Sequence, residues 1–107
     1  MQPLGEFEQL VMFAVLRLDD EAYGARVRAE LLAQAGRDVS PGAIFTTLER
    51  LEARGMVSST YGEPTPERGG RRKRFYRVTA DGRRALAASL ETINRMAHGL
   101  ALGEENS

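Results

Sequence analysis

The stretch Ser40-Pro41-Gly42-Ala43-Ile44-Phe45-Thr46-Thr47-Leu48-Glu49-Arg50-Leu51-Glu52-Ala53-Arg54-Gly55-Met56-Val57 contains a helix start, a helix body and a helix stop. A serine hydroxyl accepts from a first-turn amide, and proline fits the next position, where an N–H has no partner within the helix anyway. Ser40-Pro41 therefore opens a helix. Ile44, Phe45, Leu48 and Leu51 follow at helical spacing and are expected to face a core. Gly55 supplies the left-handed residue that ends a helix, so the element closes at Arg54. Beyond it the period changes from helical to extended.

Two helices precede this one. Leu4, Phe7, Leu10, Val11, Ala14, Val15 and Leu18 mark the first, and Met12, Phe13 and Leu16 make its second half apolar nearly all round. Asp19-Asp20-Glu21 interrupts it as a polar turn. The second helix runs from Tyr23 to Ala35, with Val27, Leu31 and Leu32 on one stripe and Gly36 as its C-cap. Tyr23-Gly24 opens it, and the glycine predicts that another backbone approaches closely there. Only Arg37-Asp38-Val39 separates this helix from Ser40, which suits the tight angle of a helix-turn-helix.

Downstream, Met56 to Tyr61 and Arg74 to Thr79 are β-prone, and Gly62 to Arg71 between them is a loop rich in Gly and Pro. Two strands joined by a long basic loop make a hairpin with a projecting tip, a wing. Thr79-Ala80-Asp81-Gly82 then starts a last helix, with Thr79 as N-cap. The fold class expected is α+β, mostly helical. A winged helix-turn-helix, with a three-helix core and a two-stranded β-wing, occupies residues 1–80. A C-terminal dimerisation helix spans 81–102, and 103–107 form a disordered tail.

A length of 107 residues suits one domain. With no cysteine, disulfides, thiolate metal sites and a cysteine nucleophile are excluded. His98, the one histidine, has no carboxylate cluster nearby to complete a metal site, and reads as a solvent-facing or interface residue. Gly69-Gly70 lacks the strand before and helix after that a nucleotide-binding loop requires. No triad and no nucleophile with a base is present, so neither an enzyme, a cofactor nor a metal is expected. The opening stretch carries Glu6 and Glu8 and no basic residue before Arg17, unlike a secretory signal, and no apolar run reaches membrane-spanning length. A cytoplasmic location without membrane attachment is expected.

Net charge is zero, but it is unevenly spread. From Arg37 to Arg84 the chain holds eleven basic residues against six acids, so that segment is +5 and the remainder −5. Screening erases fields beyond roughly 8 Å at physiological salt, so a nucleic acid responds to the local face rather than the total. Two constellations carry this face. The helix opened by Ser40 presents Ser40, Gly42, Ala43, Thr46 and Thr47 and then Arg50, and a major groove is read mainly by the N-terminal residues of such a helix. An ordinary solvated face, with arginines paired to Glu49 or Glu52, is the competing reading. In the wing, Arg68, Arg71, Arg72, Lys73, Arg74 and Arg77 fall within ten residues, and no acid occurs from Arg68 to Ala80. Such a cluster repels itself unless an anion neutralises it, and its tip is free to follow a phosphate backbone or enter a minor groove. The partner this implies is double-stranded DNA. The main competitor is a protein-interaction adaptor that keeps the winged fold without sequence-specific DNA binding.

The last helix carries Leu86, Leu90, Ile93, Ala97 and Leu100 at heptad spacing. Because the winged core is complete before it, a second copy is the expected partner for that stripe. A homodimer would set two recognition helices about one DNA turn apart on a pseudo-palindromic site.

The chain resembles the PadR family of winged-helix regulators from about Leu4 to Leu90. The marks are Tyr23-Gly24, the Ser40 to Phe45 and Leu48 to Val57 strings quoted above, and Arg71-Arg72-Lys73-Arg74-Phe75-Tyr76-Arg77-Val78-Thr79-Ala80-Asp81-Gly82. The resemblance implies a dimeric repressor that pairs through its C-terminal helix and its first helix, which brings Leu4 and Phe7 into the expected interface. It also implies a small aromatic effector near that interface, for which Phe7, Met12, Phe13 and Met96 are the available apolar material. The family usually has tyrosine then proline where this sequence has Phe45-Thr46, which alters the base contacts. The C-terminal part is short, as in the smaller branch of the family.

Overall fold

The computed structural model describes residues 2–63 and 72–103. In order it contains α1 (Glu6–Leu18), a 3-10 turn at Asp19–Glu21, α2 (Gly24–Ala35), α3 (Pro41–Ala53), β1 (Val57–Tyr61), β2 (Arg74–Val78) and α4 (Ala80–Ala97). The caps are those the sequence predicts. Ser40 Oγ accepts from the Ala43 amide at 3.1 Å, and Thr79 Oγ1 accepts from the Gly82 amide at 3.0 Å. Gly36 ends α2 at φ 66°, and Gly55 follows α3 at φ 77°.

The three helices close around one core. α1 contributes Val11, Met12, Ala14 and Val15, α2 contributes Val27 and Leu31, and α3 contributes Ile44, Leu48 and Leu51. Met56, Val57, Tyr76 and Leu86 cover the remaining side. The strands pair antiparallel with Val57 opposite Val78 and Tyr61 opposite Arg74. A bridge between Tyr23 and Phe75, and a 2.9 Å bond from the Tyr76 amide to the Ala22 carbonyl, attach β2 to the entrance of α2. The wing is thereby anchored to the helix-turn-helix at its base.

Four expectations need correction. Phe45 does not enter the core: its relative exposure is 54 %, and Thr47, at 5 %, faces inward instead. Gly24 has open space where a Cβ would project, so no backbone approaches it closely. The close approach is at Gly82, where a Cβ would lie 2.1 Å from the Met56 carbonyl oxygen. The last helix ends at Ala97 rather than 102, with Gly99 at φ 80° just beyond it. Residues 104–107 of the expected tail lie outside the described residues.

Only Gly82 and Leu86 of α4 are buried, with Ala85 packed beside them on the core, and from Leu90 to Met96 the helix is exposed. The principal extents are 54, 34 and 21 Å. Among the described residues, no helix is long and apolar enough to cross a membrane.

Candidate nucleic-acid interface

α3 lies across the domain with its inner stripe fixed by Ile44, Leu48 and Leu51, so its opposite side is open. Gly42, Thr46 and Arg50 are exposed on it and Ala43 is half-buried. Thr47 is not part of that face. Few amides of the first turn remain for a phosphate: Pro41 has none, the Ala43 amide goes to Ser40 Oγ, and that of Ile44 goes to the Ser40 carbonyl at 3.2 Å. That leaves Gly42. The Ser40 hydroxyl serves first as the helix cap.

The wing brings its cations beside this helix in different states. Arg72 donates through Nε to the Gly62 carbonyl at 3.1 Å, and its guanidinium lies 5.5 Å from the Tyr61 ring centroid. Lys73 Nζ sits 4.4 Å from the Tyr23 ring centroid, and Phe75 meets the same ring edge-on at 5.5 Å. Both cations keep their charge exposed to solvent. Arg74 points to the other side of the strand. Its Nη1 lies 2.7 Å from Glu49 Oε2 and its Nη2 2.6 Å from Glu52 Oε1. The Glu49 contact is ionic rather than a directed hydrogen bond, since Oε2 is buried without a hydrogen-bond partner. Arg68 and Arg71 lie outside the described residues.

Ion pairing sorts the remaining cations. Arg54 is drawn into α1 by Glu8 at 3.2 Å, Arg37 reaches Glu6 at 2.8 Å, and Arg84 pairs with Asp81 one helical turn away. Among the described residues, Arg50, Arg72, Lys73, Arg77 and Arg83 make no ion pair, and they hold the unneutralised positive charge. Arg77 projects from the outward face of β2, opposite Tyr76; strand alternation is the sequence signal that would have separated it from Arg74.

The local fields also act on titration. Burial works against the charge on Arg74, but Tyr76, Glu49 and Glu52 more than offset it, so the guanidinium holds its proton more firmly than usual. Burial pushes the Tyr76 hydroxyl above the ordinary tyrosine value, with Arg74 opposing and Glu49 and Glu52 adding to the rise. Neither group changes charge near neutrality.

The expected interface residues divide. Leu4 (8 %) and Leu86 (4 %) are buried within their own domain, because each fills the core where α1 begins and where α4 leaves β2. Phe7 is half-buried against the same core. Leu90, Ile93 and, beyond the helix, Leu100 are exposed, with Ala97 half-buried between them. Met96 and Leu102 extend this apolar set. His98 is exposed, and among the described residues no cluster of three His, Asp or Glu could hold a metal.

The apolar material expected for an effector is dispersed. Met12 is fully buried, Phe7 and Phe13 pack on the core, and Met96 is exposed far along α4. A groove of about 620 Å³ lies elsewhere, between α2, α3 and the wing. Leu32, Phe45 and Tyr61 form its exposed apolar rim, and Ile44, Leu48 and Tyr76 its inner wall.

Comparison with known proteins agrees with this geometry. The chain is 35% identical over 89 residues to the transcriptional regulator Rv3488 of Mycobacterium tuberculosis, an alignment covering 83% of this chain and 78% of that one. A PadR family transcriptional regulator from Eggerthella lenta superposes with a TM-score of 0.68 at 25% identity, over 88% of this chain and 81% of that chain. A transcriptional regulator from Clostridium thermocellum shares the fold at a TM-score of 0.69 and 20% identity, over 83% and 81% of the two chains. Residues 12–88 match the transcriptional regulator PadR-like family, whose members are regulators and not enzymes, and the chain belongs to that family.

Proposed function

We propose that this protein is a cytoplasmic repressor that binds a pseudo-palindromic DNA operator as a homodimer. The observation that carries the reading is the sorting of charge. Among the described residues, most cations around the core are paired internally, whereas Arg50 on α3 and Arg72 and Lys73 on the wing have no carboxylate partner. A helix end lined by Gly42 and Thr46 supplies base-edge contacts, and the wing supplies phosphate contacts. Leu90 and Ile93 on the exposed half of α4 support pairing of two copies. Repression follows when the bound dimer occludes a promoter.

Selection of bound sites from a random duplex library at near-physiological salt tests this. Enrichment of an inverted repeat, with half-sites about ten base pairs apart, is expected. Weak, salt-sensitive binding without an enriched motif would favour the adaptor reading instead. Arg71→Ala with Arg72→Ala should weaken binding to every sequence and flatten the salt slope by about two, one for each phosphate no longer neutralised.

The effector belongs to the same proposal. A small aromatic compound fits the groove rimmed by Phe45 and Tyr61 better than it fits the dispersed set of Phe7, Met12, Phe13 and Met96. The groove's volume of about 620 Å³ falls within the range of small-molecule sites. A ligand there should raise the melting temperature and change DNA affinity, and Phe45→Ala should abolish both effects.

A further inference from the structure

Among the wing cations, Arg74 differs from its neighbours in how completely it is used. Its three donor nitrogens are divided among two elements. Nη1 and Nη2 reach Glu49 and Glu52 on α3, at 2.7 and 2.6 Å. Nε donates to Ser59 Oγ on β1 at 3.0 Å, and Ser59 in turn donates to both Glu52 oxygens, at 3.1 and 2.9 Å. The guanidinium also lies over two rings, 5.3 Å from the centroid of Tyr76 and 5.9 Å from that of Tyr61. One side chain on β2 thus fastens both wing strands to the recognition helix. A planar fork with fixed donor directions makes this possible, and an ammonium group would not span the same partners.

The charge balance points the same way. Glu49 and Glu52 stand one turn apart on the helix that faces DNA and are 42 % and 33 % exposed. Left alone, two carboxylates there would repel phosphates and each other. With Arg74 inserted, their joint charge falls to −1 and their oxygens turn toward the wing. An arginine engaged in this way has little left to offer a phosphate.

We propose that Arg74 is a positioning residue rather than a DNA contact: it sets the angle between wing and recognition helix and masks the carboxylates of Glu49 and Glu52 from the DNA backbone. The proposal rests on the reading that α3 and the wing bind DNA, and it opposes the assignment of Arg74 to the phosphate-contacting cluster that the sequence suggests.

A mutant cycle separates the two roles, using the full-length protein, a selected duplex and matched salt. Arg74→Gln should lower affinity roughly tenfold or more, since it leaves a carboxylate pair uncompensated. Glu49→Gln with Glu52→Gln should stay within about threefold of wild type, because an amide oxygen at position 52 can still accept from Arg74 and neither amide repels a phosphate. The triple variant should recover most of the loss. If Arg74 instead grips a phosphate, the double variant will bind more tightly than wild type and the triple will be as weak as Arg74→Gln. Either result would overturn the proposal.

Hydrogen exchange of the wing amides without DNA supplies the second arm. Arg74→Gln and Arg74→Lys should both speed exchange across Ser58–Tyr61 and Arg74–Arg77, and the lysine variant should not regain full affinity despite its charge. Unchanged exchange with full rescue by lysine would also overturn it. Because this arm needs no DNA, a protein that binds no duplex at all would defeat the functional reading while the strut itself is still measured.

Discussion

Gly82 at the start of α4 lies against the Met56 carbonyl: a Cβ there would sit 2.1 Å from that oxygen and 2.9 Å from Val78 Cγ1. The carbonyl cannot easily move away, because it accepts from the Thr79 amide at 3.0 Å, and Thr79 Oγ1 holds the adjoining Gly55 carbonyl at 2.6 Å. Backbone, not a flexible side chain, therefore blocks the space. Gly82→Ala should destabilise the fold by about 1–3 kcal/mol, the usual cost of overpacking. In a domain of this size that lowers the melting temperature by roughly 4–8 °C per kcal/mol. Gly24→Ala is the control. A Cβ there meets nothing within 4 Å, so its melting temperature should hold or rise. Equal melting temperatures for the two variants would show that α4 can shift to relieve the contact.

Thr46 and Thr47 are adjacent on α3 but belong to different environments, one exposed and one buried at 5 %. Thr46→Ala should change preference at one operator position by about 1–3 kcal/mol, the value of a base-edge contact. Thr47→Ala should lower the melting temperature and leave the preferred sequence unchanged. Site selection and thermal melting on the same preparations distinguish them. A reordered preference in Thr47→Ala at unchanged stability would mean that the helix turns on binding.

The contrast shows where sequence reading reached and where it stopped. Caps, stops and the change of period are local chemistry, so Ser40, Gly36, Gly55 and Thr79 were legible and every element appeared near its expected place. Phe45 and Thr47 were misassigned because hydrophobicity was weighed ahead of angle. At about 100° per residue, Thr47 lies some 65° from the centre of the Ile44, Leu48 and Leu51 stripe, and Phe45 about 95°. The Leu86 to Leu100 repeat looked uniform in sequence, yet Leu86 joins the core at 4 % exposure and Leu90, at 43 %, is left outside. Arg74 and Arg72 are equivalent as letters. Only the register that sets Arg74 opposite Tyr61, beside Glu49 and Glu52, separates a strut from a free cation.

Division of the α4 stripe carries its own test. Ile93→Asp places a charge at a position 52 % exposed in the single chain, so the domain itself should fold. Sedimentation should then report a monomer. Leu86→Ala removes a side chain buried at 4 % and should cost about 2–5 kcal/mol, seen in denaturant melts. A dimer persisting in Ile93→Asp would move the interface off this part of α4.

Tyr76 links stability to alkaline pH. Its hydroxyl is raised above 10.0, first by burial, with Glu49 and Glu52 adding to the rise and Arg74 working against it. The folded chain therefore keeps a proton that the unfolded chain surrenders near the ordinary tyrosine value. The stabilisation is fully present below that value and is lost as pH climbs through the higher folded pKa, with a slope of at most roughly 1.4 kcal/mol per pH unit. Tyr76→Phe has no such proton to keep. Below about pH 9 the two stabilities should differ by a constant amount, well short of where tyrosine begins to titrate. Above pH 10 the wild type should fall more steeply than the variant. Denaturant melts at intervals from pH 8 to 11 would measure the difference. Parallel profiles would mean that the hydroxyl reaches water in the folded protein, and that the wall it shares with Arg74 is looser than the packing of Tyr76 indicates.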